Sequence, residues 1–271
     1  FVLVMHHALY DATTLDMIFA RMDAHIASAP LNEVHAWSEA LEDLVPAPQA
    51  EQATLDAWAH ALRPMDHIAW TALHETRTEP EKRLEHYERT VSSVSWSALE
   101  ETAACIGTSV RPLAHVAWAR VLGIILGTSN VLLGDVVSLR GQRASYATTG
   151  GPLLATLPVC VNAASQSAVS DYVQQLHASN LALQEHASVP LSYIRQQVHC
   201  PRDQPLFLSL FVLEMDEDHD ERPPEHALAW HTPTDLGVSV EHALALEMRV
   251  TRKGHVRLVL NYLDSAMSSS Y

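Results

Sequence analysis

The chain has 271 residues, enough for one large domain or two modest ones, and its 48% hydrophobic and 18% charged content is that of an ordinary globular protein. Its 32 acidic residues outweigh 17 basic ones for a formal charge of −15, and Lys82 and Lys253 are the only lysines. Such a surface repels phosphate backbones and anionic lipid, which argues against nucleic acid and membranes as partners.

The first element is the apolar run Phe1 to Met5, read as a strand that delivers the chain into His6-His7-Ala8-Leu9-Tyr10-Asp11-Ala12. The run is too short to span a bilayer and lacks a basic flank, so it is not a signal peptide. With a candidate site so close to the first residue and no initiator methionine, the expectation is that preceding chain has been removed or left out. A helix follows at once. Thr13 or Thr14 can cap it, and Leu15, Ile18, Phe19, Met22 and Ile26 recur at helical spacing to give one buried face. Pro30 ends this element, prolines at 46, 48, 64 and 80 punctuate short helical pieces such as 50–62, and the charged stretch 75–89 reads as a crossover. We place a boundary near residue 90.

Beyond it a strand at 91–96 precedes a helix at 97–106, which Gly107 stops. Pro112 sits in the first turn of an apolar core helix, 113–126, where its missing donor is harmless. Residues 131–138 form a buried strand, Gly141, Gly150, Gly151 and Pro152 bracket a loop, and 153–161 form another strand. A long helix covers 168–187 and a short one starts near Pro190. Residues 206–213 are a strand, 216–235 an acidic loop, and 236–250 with 255–263 a hairpin turned at Lys253-Gly254. The order is that of an α/β sandwich with one sheet per lobe. Cys105, Cys160 and Cys200 have no ligand spacing and read as reduced thiols of a cytoplasmic protein.

The histidine pair carries the chemistry. A neutral imidazole accepts a proton from an attacking amine or hydroxyl, and a buried carboxylate anchors the turn if an arginine or backbone donors compensate its charge. On an alternating strand His6 and His7 face opposite ways, so one reaches substrate and the other supports the turn. The bland alternative is a packed or solvated pair at a strand end. Zinc is disfavoured because adjacent strand histidines diverge and no HExxH helix follows. There is no GxSxG elbow for a serine hydrolase, and no Walker or Rossmann glycine pattern.

His6 to Ala12 resembles the HHxxxDG signature of condensation domains of nonribosomal peptide synthetases, in the chloramphenicol acetyltransferase-like superfamily. Gly134-Asp135-Val136-Val137-Ser138-Leu139-Arg140 is similar to the family's strand ending in Ser-Gly-Arg. Gly151-Pro152-Leu153-Leu154-Ala155-Thr156-Leu157-Pro158-Val159 is similar to its Gly-Pro-x-x-x-Thr-x-Pro segment, and Glu185 to Ile194 to the helix junction that follows. The wording resembles fungal domains, especially those of ferrichrome-type siderophore synthetases. The resemblance implies a two-lobed α/β sandwich with the site where the lobes meet. Residues 1–90 are the remainder of the N-terminal lobe and 91–271 the C-terminal lobe. It implies amide-bond formation between acyl or aminoacyl thioesters on two carrier-protein domains, beside an adenylation domain, with no cofactor bound directly beyond the carriers' phosphopantetheine arms. His7 corresponds to the histidine that positions or deprotonates the attacking amine, and His6 and Asp11 are structural. Ser138, Arg140, Gly151 and Thr156 fall in the tunnel or its floor loop. The arginine that braces the aspartate is expected in a segment ahead of this chain. Ala12 and Leu139 replace family glycines and Cys160 an arginine, so a degenerate, noncatalytic domain that docks carrier proteins or scaffolds the synthetase is the competing reading, and a stand-alone acyltransferase a third.

Overall fold

The computed structural model describes residues 3–44, 48–63, 84–165, 167–187, 189–198, 200, 205–207, 209–215 and 242–263. Its contacts divide the chain into two units. The first gathers the described residues of Phe1–Pro46 and Val137–Ala155; the second gathers those of Ala47–Val136, Thr156–Glu217 and Ser239–Tyr271.

In the first unit the described part of the apolar run is not a strand: residues 3–6 pair with no ladder, and Val4 is 85% exposed. A strand exists only where a neighbour takes up its backbone groups, and alternation alone cannot supply one. Helix α1 spans Ala12–Ile26, and its N-cap is Asp11 rather than a threonine; the carboxylate accepts from Thr14 N. Asp at an N-cap satisfies an orphan donor and favours the positive end of the helix, which settles the competition with Thr13 and Thr14. The expected apolar face of α1 is only half-buried, and Ile26 is exposed. Helix α2 (Trp37–Leu44) follows a two-residue strand β1 (His35–Ala36), which pairs in parallel with β4 (Thr149–Gly150). Between Ser138 and Thr149 the chain makes 3₁₀ turns at Arg140–Gln142 and Ala144–Thr148.

The second unit is a mixed six-stranded sheet under helices. The strands are β2 (Leu84–Ser95), β3 (Asn130–Ser138), β5 (Leu154–Asn162), β6 (Ser209–Met215), β7 (Leu244–Val250) and β8 (His255–Leu263), in the order β2-β8-β7-β6-β3-β5. β3, β6 and β7 run parallel, while β7-β8 is the expected hairpin and β8-β2 is antiparallel. β2 runs unbroken through residue 90, so the boundary placed there falls inside one strand. Residues 75–83 of the expected crossover, the acidic loop 216–235 and the first part of the expected hairpin, 236–241, lie outside the described residues.

Helix α4 (Trp96–Cys105) starts at Ser95, whose hydroxyl accepts from Ala98 N, and α5 (Val110–Leu126) buries Val116, Ala119 and Leu122 along one stripe. That stripe packs with Val131 and Leu133 of β3, Val159 and Val161 of β5, and Val173 and Leu176 of α6 (Val169–Gln184). Each such side chain contributes roughly 1.5–3 kcal/mol by leaving water. A second cluster joins Ala103 and Val110 to Phe211, Leu246, Met248 and Val256 of the sheet. Helix α3 (Pro48–Leu62) seats Trp58 with no exposed surface, its Nε1 donating to His186 O just ahead of α7 (Leu191–Gln197). Among the described residues no single helix is long and apolar enough to cross a membrane.

Candidate functional site

The motif's backbone enters a 3₁₀ turn over His7–Leu9 instead of continuing as a strand. Leu9 N donates to His6 O at 2.9 Å, and Ala8 N donates to His6 Nδ1 at 3.1 Å. The exposed His6 thus caps the turn through an unprotonated Nδ1, which leaves its neutral-form proton on Nε2. The opposite-facing argument for His6 and His7 assumed a strand and does not apply in a turn; the side chain of His7 itself lies outside the description.

Two residues after the turn Asp11 is 3% exposed and is the hub of the first unit. Its Oδ1 accepts from Thr14 N at 2.8 Å and Thr14 Oγ1 at 2.6 Å, and its Oδ2 accepts from Leu153 N at 3.1 Å. Arg140 completes the set, with Nη2 at 2.8 and 2.9 Å from the two carboxylate oxygens and Nε at 3.1 Å from Oδ2. The same guanidinium donates to the carbonyls of Tyr146, Thr149 and Gly151 at 2.8 to 2.9 Å. A planar fork of five donors can join a carboxylate to three carbonyls; a lysine ammonium cannot.

This corrects two expectations. Arg140 does not merely line a floor: it is the brace of Asp11, and the bracing arginine lies within this chain, 129 positions after the aspartate. Ser138, exposed at the end of β3, shapes the approach by accepting from Arg140 N at 3.3 Å. Gly151 joins the same group, since its N–H donates to Thr14 Oγ1 at 3.1 Å. A Cβ on Gly151 would meet the Trp37 ring at 2.4 Å, and its φ of +139° is one that side-chain-bearing residues rarely adopt, so glycine is required twice over. Thr156 belongs to the second unit, half-buried on β5. Thr14 was not anticipated as a site residue, although its position three after Asp11 is the ordinary signal for an N-cap partner.

The departures from the family pattern also find physical answers. Ala12 is the exposed first residue of α1, and Leu139 is buried at φ −86° and ψ −5°; neither stands among the positive-φ residues. Neither position needs a glycine here. Burial pushes the Cys160 thiol up to about 11, away from the thiolate that a nucleophile needs.

Burial by itself would raise the Asp11 pKa, but Arg140, the Thr14 hydroxyl and the Leu153 and Thr14 N–H groups outweigh it and hold the carboxyl below its ordinary 3.8. A depressed folded-state pKa stabilises fully above the unfolded value and is lost as pH falls through the folded one. Stability is therefore expected to hold from about pH 7 to about pH 5 and to fall in acid below the ordinary aspartate range. Asp11→Asn should remove part of that acid dependence; unfolding midpoints of both proteins measured across this range check it, and identical acid limbs would refute the assignment.

A family model described as "Condensation domain" matches residues 1–266. The ferrichrome siderophore peptide synthetase of Mycosarcoma maydis is 28% identical over 278 residues, covering 100% of this chain and 7% of the synthetase. Among solved structures, the four-domain nonribosomal peptide synthetase AB3403 superposes with a TM-score of 0.73 at 18% identity, over 98% of this chain and 22% of that one. VibH, a condensation enzyme of nonribosomal peptide synthesis, gives 0.70 at 14% identity, over 98% and 62%. The fold is that of these chloramphenicol acetyltransferase-like domains, and the chain spans a small fraction of the curated relative it matches.

Proposed function

The chain belongs to the condensation-domain family, and from that premise we propose that it forms amide bonds in a nonribosomal peptide synthetase. The acceptor is an amine carried as a thioester on one carrier domain; the donor is an acyl or aminoacyl thioester on a second. The amine attacks the donor carbonyl, the new C–N bond forms as the C–S bond breaks, and the phosphopantetheine thiol leaves with the proton lost by the amine. His7 takes or positions that proton, while His6 and Asp11 hold the turn.

The observation that carries this reading is the Asp11 hub, which ties the aspartate of the histidine motif to Arg140, Thr14, Gly151 and Leu153 through a fully compensated carboxylate. It also weighs against the degenerate, carrier-docking alternative, because Ala12 and Leu139 sit without backbone strain where the family has glycine. A siderophore as product rests on the likeness to the ferrichrome synthetase, and an adenylation neighbour on the multidomain relatives. We keep the division into two lobes as part of this proposal.

The test supplies the protein with donor and acceptor carrier domains, each loaded through phosphopantetheine. Mass spectrometry should show the amide product accumulating on the acceptor carrier. Thioester hydrolysis with no amide on the acceptor would refute the reading.

A further inference from the structure

The second unit contains a cavity of about 470 Å³ that the chemistry above does not use. It lies among α4, the first turn of α5, the C-terminal half of α6 and residues of β3 and β6, and its size is that of a small-molecule site. Trp96, Leu181 and Leu213 give it an apolar wall, while Glu100, Arg111 and Asp135 supply charge.

These charges are not all spent on one another. Arg111 Nη1 donates to Asp135 Oδ1 at 2.5 Å and to Val136 O at 3.1 Å, so the buried Asp135 is compensated. No hydrogen bond from Arg111 Nε or Nη2 is present among the described residues, which leaves donors on a guanidinium that lines the cavity. Glu100 on α4 has no ion-pair partner among the described residues. At the start of α5 no side chain caps the first N–H groups among the described residues. Ser109 has N-cap geometry but its side chain accepts no capping bond, and Pro112, the third helical residue, has no N–H to donate one. The Thr108 hydroxyl, in the same wall, lacks a partner among the described residues.

A simple anion here would stand beside the uncompensated Glu100, and a simple cation beside Arg111. A molecule carrying both charges meets neither repulsion. We propose that this cavity binds a free aliphatic α-amino acid. Its carboxylate lies on Arg111 and the first turn of α5, its ammonium on Glu100, and its side chain against Trp96, Leu181 and Leu213. This goes beyond the condensation reading and stands or falls without it.

The probes are leucine, 4-methylpentanoate, which lacks the amine, and 3-methylbutylamine, which lacks the carboxylate, each titrated calorimetrically into the full protein. Leucine should bind saturably and at least about tenfold tighter than either analogue. Glu100→Gln, an exposed helical position whose change leaves the core alone, should weaken leucine about tenfold and leave 4-methylpentanoate unchanged. Arg111→Lys, which keeps a cation near Asp135, should weaken leucine and 4-methylpentanoate together. Absence of saturable leucine binding, equal affinity for the three probes, or leucine binding indifferent to both variants would overturn the proposal.

Discussion

His7→Ala is expected to lower amide formation by about 10²–10⁴-fold while both carrier domains still load and the fold survives, the usual scale for losing a positioned general base. Uncatalysed aminolysis of a thioester needs a free amine at the right distance, and a neutral imidazole supplies a proton acceptor near physiological pH. The position is well prepared for such a role: His7 opens a 3₁₀ turn capped by His6, and Asp11 anchors the chain two residues beyond it. Charged carriers with little condensed product are the expected pattern. Wild-type turnover by the variant would remove His7 from the chemistry and favour the docking reading. The control is Asp11→Asn, which should lose stability as well as activity, because Asp11 acts on the backbone and not on substrate.

Arg140→Met should destabilise the protein by about 3–5 kcal/mol, the scale for removing one partner of a buried ion pair. Asp11 would keep its donors from Thr14 and Leu153, yet its charge would be uncompensated, and the carbonyls of Tyr146, Thr149 and Gly151 would lose their shared donor. Arg140→Lys should recover only part of the loss, since an ammonium cannot span a carboxylate and three carbonyls at once. Combining Arg140→Met with Asp11→Asn should destabilise by less than the sum of the two, with a coupling of about 1–3 kcal/mol. Urea unfolding of the four proteins reads this directly, and additive losses would mean that the two side chains do not act as a pair.

Much of the second unit was legible in order and type. The helices at 97–106, 113–126 and 168–187 and the hairpin turned at Lys253-Gly254 came from periodicity and turn residues, and all formed within a few positions. They were legible because each is a local pattern whose apolar stripe must be buried somewhere. The first unit was harder. Its apolar start carries strand-like composition but finds no ladder over its described residues, and α1's spacing promises more burial than it obtains. Both failures have one cause: pairing and burial depend on neighbours that no local window contains.

The sequence by itself determined the histidine motif, the helix that follows it, and the family to which both belong. It also marked Ser138, Arg140 and Gly151 as related by motif. Only the tertiary structure decided what Arg140 does. A guanidinium 129 positions from a carboxylate cannot be assigned to it by spacing, and a lone buried aspartate does not say which cation will follow it out of water. Folding brought the two to hydrogen-bonding distance and set Thr14 and Gly151 around them. The chemistry of the motif is local, but the charge that holds it in place is not.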